Sequence, residues 1–224
     1  MQAELEHQSA AGALFQLVRG AFPCAVALWL SACATPDGPL PGTVPAPPAA
    51  RVDSPPEWRP GDRWVYEWTS GSDTRTKSVE VIEIKEVNNV RYYLVRVGDT
   101  SHYYTMDLHW AGSARTSTVE ARMIPPEPWF AWPLAVGSQW GHQGTFEERD
   151  SRTQHSDTFK VVAAESVNVP AGQFQALRVV READPRNSDQ YWYTPEVRWY
   201  ARWIGRRGEV QFEERLREYH PAPR

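Results

Sequence analysis

The sequence predicts an all-β domain: a single antiparallel sheet curved into a half-barrel or barrel, with a weak internal echo that allows two related meanders. Three observations predict it. From Trp58 to Tyr219 apolar and polar residues alternate with period two, and no stretch carries a helical stripe. Turn signals punctuate that segment at hairpin spacing: Ser70-Gly71-Ser72-Asp73, Asn88-Asn89, Gly98-Asp99, Pro125-Pro126 and Asp184-Pro185-Arg186-Asn187. The 224 residues are 41% hydrophobic and 23% charged, a globular composition that excludes a coiled coil, a collagen-like repeat and a wholly disordered chain. The net charge of −4 comes from interspersed residues without a basic stripe, so no nucleic-acid partner is expected.

The N-terminus reads as an address. An apolar run from Ala21 to Ala32 follows Arg19 and gives way at once to polar, Pro-rich sequence. About a dozen residues is signal-peptide length and too short to span a bilayer, which takes about 20. Residues 1–32 are therefore assigned as a signal peptide. Glu4 and Glu6 depart from the short basic start of such signals, and a true start near Leu17 or Val18 would account for them. Leu30-Ser31-Ala32-Cys33 resembles the lipobox of bacterial lipoproteins, which implies cleavage before Cys33 and acylation of that residue, a membrane anchor. Ala34, where an Asp would resemble the inner-membrane retention signal, points to the periplasmic face of the outer membrane. The only other cysteine, Cys24, lies inside the signal, so no disulfide is expected in the domain.

Residues 33–57 carry the lipidated Cys and a Pro-rich tether, with Pro at 36, 39, 41, 45, 47, 48, 55 and 56 favouring an extended, semi-rigid spacer. The β domain is assigned to 58–219 and a short tail to 220–224. Its expected strands are Arg63–Trp68, Lys77–Ile84, Val90–Val97, Ser101–Met106, Ser117–Ile124, Gln139–Glu148, Thr158–Ala164, Phe174–Arg181, Gln190–Tyr193, Arg198–Trp203 and Glu209–Leu216. In the last, Val210, Phe212 and Leu216 take one face, and Glu209, Gln211, Glu213, Arg215 and Arg217 the other. Lys77–Ile84 breaks step, and a β-bulge near Val81-Ile82 is expected. Gly61-Asp62-Arg63-Trp64 and Gly137-Ser138-Gln139-Trp140 each place a Gly turn before a strand with an early Trp, which is the internal echo.

Gly61-x-x-Trp64, Pro133-Leu134-x-Val136-Gly137-x-x-Trp140, Val169-Pro170-Ala171-Gly172-x-Phe174 and Tyr191-Trp192-Tyr193-x-Pro195 resemble the landmarks of a large, mostly uncharacterised group of exported bacterial β-proteins. The resemblance spans most of Trp58–Trp203 and implies fold more than chemistry. A Gly commonly follows the last of these landmarks in that group, where this chain has Val197-Arg198. The implied architecture is similar to the half-barrels of the lipoprotein-carrier superfamily, in which a curved sheet shelters an apolar groove.

Nucleophile-elbow, zinc-protease, P-loop and dinucleotide motifs are absent from the sequence, so no catalytic residue, cofactor or metal is assigned. His102, Asp107 and His109, and separately His142, Glu147, Glu148 and His155, read as polar hairpin residues. The informative excess is aromatic, with 11 Trp, 9 Tyr and 7 Phe. In Tyr191-Trp192-Tyr193 and Trp199-Tyr200 successive side chains point to opposite faces, so aromatics occupy both sides of the sheet. Trp129, Trp132, Trp192 and Trp199 are expected to line a groove that takes a lipid or other amphipathic ligand, with Arg202 near an anionic headgroup. The alternative is an envelope interaction protein whose exposed aromatics meet another protein.

Overall fold

A computed structural model describes residues 43–45, 51–116, 118–184 and 186–223, and the signal peptide and Cys33 lie outside them. Two short strands come first, β1 (Thr43–Pro45) and β2 (Arg51–Val52). A first meander follows: β3 (Arg63–Ser70), β4 (Asp73–Val87), β5 (Val90–Val97), β6 (Thr100–Thr105), β7 (Trp110–Arg115) and β8 (Thr118–Glu127). After β9 (Leu134–Ala135) a second runs through β10 (Gln139–Glu148), β11 (Ser151–Val169), β12 (Gly172–Asp184), β13 (Asn187–Thr194), β14 (Trp199–Arg207) and β15 (Val210–His220).

The sheet order is β1-β11-β10-β8-β7-β6-β5-β4-β3-β15-β14-β13-β12, and an additional β11–β12 pairing closes it into a 12-stranded antiparallel barrel. Of the two shapes the sequence allows, half-barrel and barrel, the closed one forms, and closure leaves short β1 as the edge strand of the sheet. Six strands come from each meander, and the two meet at the β8–β10 and β15–β3 pairings. The internal echo is structural. Gly61 N–H donates to Val81 O at 2.8 Å while Val81 N–H donates to Asp62 O at 2.9 Å. Gly137 N–H donates to Val161 O at 2.8 Å while Val161 N–H donates to Ser138 O at 2.9 Å, the same exchange one meander later. Each of the two valines sits at a register shift, Val81/Glu83 against β5 and Val161/Ala163 against β12. The first is the bulge that the broken alternation of Lys77–Ile84 foretells.

Within the stretch read as a tether, β1 pairs with Glu165–Val167 of β11 and β2 pairs with β9. Pro45, which lacks a backbone donor, ends an edge strand, where it is tolerated. β7 has no counterpart among the expected strands. Its sequence, Trp-Ala-Gly-Ser-Ala-Arg, lacks the β-branched residues that mark strands. Gly112 sits there with φ 155°, and a Cβ on it would lie 2.4 Å from Ala121 O, so only glycine lets β8 approach. β4 and β11 run farther than expected because their outer ends, 73–76 and 151–154, are exposed and polar and show no alternation.

The turn where the resemblance would place a Gly is made here by Arg198, with φ 58° and its N–H donating to Pro195 O at 3.1 Å. A left-handed conformation costs an L residue about 1–2 kcal/mol. The guanidinium offsets this by donating to Asp62 Oδ1 at 2.9 Å, Tyr219 Oη at 2.7 Å and Glu57 O at 3.0 Å. Inside the barrel Trp58, Trp64, Tyr66, Tyr93, Tyr191, Tyr193, Phe130 and Phe159 are fully buried, so aromatic volume makes the core of a domain without a disulfide.

Candidate functional site

The aromatic core opens to the surface at one place, in a pocket whose mouth is partly exposed to solvent. A cavity of about 240 Å³ is lined by Lys77, Val79, Val97, His102, Tyr104, Trp110, Glu127, Trp129, Trp199, Tyr200 and Trp203. Trp129, in the β8–β9 connection, is its hub, with ring centroids 5.9 Å from Trp199, 5.7 Å from Trp203 and 5.9 Å from Tyr104. Three of the four indoles lining the cavity have their N–H groups held by the protein: Trp129 donates to Glu127 Oε2 at 2.8 Å, Trp203 to Asp189 Oδ1 at 2.9 Å and Trp110 to His102 Nδ1 at 3.1 Å. What these residues offer the cavity is therefore chiefly ring surface.

Lys77 and Tyr200 share one acidic partner at the edge of the lining. Lys77 Nζ bonds Glu214 Oε1 at 2.6 Å and stands 5.4 Å from the Trp203 ring centroid, and Tyr200 Oη donates to Glu214 Oε2 at 2.9 Å. Burial, helped by the Lys77 charge, lowers the His102 pKa from 6.5 to about 4. A neutral His102 accepting from Trp110 at Nδ1 carries its proton on Nε2 and is a hydrogen-bond donor. This fixes a pH dependence. As pH falls from 6.5 towards 4, the unfolded chain binds a proton that the folded imidazole refuses. Stability is complete above that window and falls by about 3 kcal/mol across it. Urea unfolding measured between pH 7 and 4 checks this, and His102→Gln is expected to flatten the slope.

Beside the cavity lies a buried ion network. Arg181 reaches Glu127 Oε1 at 3.0 Å, Asp157 Oδ1 at 3.1 Å and Asp189 Oδ2 at 2.8 Å. Arg207 adds a bond to Asp189 at 3.0 Å. Burial acts to lower the Arg181 pKa, but the surrounding carboxylates outweigh it and raise it. Burial likewise acts to raise Asp157, and His142 and Arg181 hold it below the usual range. The Asp157 carboxylate raises His142 against burial. The signal for these charges is phase: Arg181 shares a strand face with Leu177 and Val179, Asp157 with Phe159 and Val161, and Asp189 with Tyr191 and Tyr193, all buried positions.

The expected site residues divide into two groups. Trp129 and Trp199 line the cavity, while Trp132 sits nearby against Tyr193 at 5.3 Å and donates to Asp107 O at 3.2 Å. Trp192 and Arg202 face the other way. Trp192 alternates with the inward Tyr191 and Tyr193 and is fully buried, donating to Glu165 Oε1 at 2.5 Å. Glu165 reaches across β12 because the β11–β12 hairpin curls back, its tip Ala171 donating to Leu216 O at 2.9 Å. Arg202 stacks on Trp192 at 4.8 Å and pairs with Glu213 at 2.7 Å, so neither residue meets the cavity. His102 joins the lining through Trp110, while His142 joins Asp157 instead of Glu147, Glu148 or His155.

No family model and no curated protein matches the chain. Among solved structures, a candidate exported protein with YmcC-like fold from Bacteroides fragilis is 15% identical, with a TM-score of 0.43 over 76% of this chain and 100% of that one. A candidate lipoprotein from Parabacteroides distasonis is 11% identical, with a TM-score of 0.39 over 75% and 97%. The hypothetical lipoprotein YmcC from Escherichia coli is 12% identical, with a TM-score of 0.37 over 74% and 87%.

Proposed function

We propose that this chain is an exported lipoprotein, held by Cys33 on the periplasmic side of the outer membrane, whose barrel binds a lipid acyl chain or similar amphipathic ligand without catalysis. The observation that carries this reading is the aromatic cavity, a partly open pocket walled by Trp129, Trp199 and Trp203. At about 240 Å³ it is smaller than the roughly 300–1,000 Å³ typical of pockets for drug-sized ligands. It therefore suits part of a chain, with the polar end of the ligand outside. Three acyl groups on Cys33 would anchor the protein firmly, since each buried CH₂ contributes about 0.8 kcal/mol.

Native mass spectrometry of the barrel-bearing unit from Pro36 onward, exported to a bacterial periplasm and followed by solvent extraction, tests ligand binding. An adduct of lipid mass is expected, and a uniformly bare chain counts against it. The anchor has its own test. Cys33→Ser is expected to move the protein from the membrane to the soluble fraction, and retention in the membrane would refute lipidation at this residue.

A second reading is favoured by one outer surface. Val87, Tyr92, Tyr103 and Val119 line a shallow groove, and Val87, Val90 and Val119 are exposed. An envelope protein could dock there, and a bare mass would shift weight to this role.

A further inference from the structure

The ion network leaves buried ligand atoms without hydrogen-bond partners at one place in the barrel wall. His142 and Asp157 are direct cross-strand partners on β10 and β11, and Glu127 ends β8, the strand on the other side of β10. One ligand atom from each of the three lies within 4.8 Å of the others, and all three residues are buried. His142 Nε2 sits 3.0 Å from Pro125 O, which can only accept, so Nε2 carries a proton and Nδ1 is the atom left to take either a second proton or a metal ion. Nδ1 faces Asp157 Oδ2 at 3.8 Å, and neither atom has a hydrogen-bond partner among the described residues. His142 is 6% exposed and Asp157 3%. The separation is too long for an N–H···O bond and somewhat wider than the roughly 3.3–3.6 Å between tetrahedral ligands at about 2.0–2.2 Å, so binding an ion would draw the three side chains together.

We propose that Glu127, His142 and Asp157 bind one divalent metal ion of the zinc class at the junction of the two meanders. The donor set, one imidazole nitrogen and two carboxylates, suits zinc or its first-row neighbours, whereas magnesium and calcium prefer oxygen alone. Charge agrees. Glu127, Asp157 and Asp189 outnumber Arg181 and Arg207, so the network takes one more positive charge, and a metal ion on Nδ1 would supply it in place of a proton on His142. Arg181 holds both carboxylates in place, the role of an outer-shell partner. Gly144 supplies the room, because a Cβ there would come within 2.8 Å of His142 Cε1. An ion so placed ties β8, β10 and β11 together, where β8 and β10 pair over only Ala121–Ile124 and Thr145–Glu148.

The test is titration of the full chain, stripped with chelator, with Zn²⁺ by calorimetry and with Co²⁺ by visible absorption at pH 7.5. One ion per chain is expected, with a Co²⁺ d–d band and a Tm raised by about 5–10 °C at a hundredfold excess over Kd. His142→Gln, which retains a donor for Pro125, is expected to weaken Zn²⁺ binding at least tenfold, with near-UV circular dichroism verifying the fold. Gly144→Ala keeps every ligand but displaces the ring, and should weaken binding as well. A folded parent chain that takes up no Zn²⁺ overturns the proposal. So does Zn²⁺ affinity unchanged in folded His142→Gln, which would put the ion elsewhere.

Discussion

Arg181→Ala is expected to lower stability by about 3–5 kcal/mol, because it removes the cation shared by Glu127, Asp157 and Asp189 and leaves buried carboxylates without their partner. Against a total of about 5–15 kcal/mol for an ordinary domain, that loss leaves a marginal barrel. Arg181→Lys should recover only part, since one ammonium cannot reproduce a planar fork that serves three acids. Urea midpoints measure both. A midpoint for Arg181→Ala within about 1 kcal/mol of the parent would mean that the acids neutralise themselves by binding protons.

Val97→Trp is expected to lower affinity for an acyl ligand more than a hundredfold while the barrel stays folded. Val97 lines the cavity, is only partly buried, and stands next to the Gly98 turn between β5 and β6, where an added ring can enter the empty space. Filling a void avoids the strain of overpacking a full core. Titration with a fluorescent fatty acid, alongside a thermal melt, separates lost binding from lost folding.

Much of the fold was legible because strands alternate. β10 falls on Gln139–Glu148 in both sequence and structure, and the bulge near Val81 and the repeat of Gly61 and Gly137 are visible as broken or echoed pattern. β7 escaped because small residues carry no alternation, and the polar ends of β4 and β11 escaped because nothing buries them. In β15 the expected apolar face needs revision. Val210 is exposed, whereas Glu214, in phase with Leu216, is buried and bonds Lys77 and Tyr200. The same rule hid the ion network, since a charged residue in a strand is ordinarily read as facing water. Trp192 and Arg202 went astray for a different reason. Alternation assigns them a shared face opposite Tyr191, but not that Glu165 meets Trp192 there while Glu213 and the Trp192 ring hold Arg202.

The central claim is that the aromatic cavity takes an acyl chain, and quenching of tryptophan fluorescence by a dibrominated fatty acid tests it most directly. Bromine quenches indoles at close range, and Trp110, Trp129, Trp199 and Trp203 all line the cavity. Saturable quenching at one ligand per chain, abolished in folded Val97→Trp, is the predicted result. Quenching that is absent, or that persists undiminished in that variant, would contradict it.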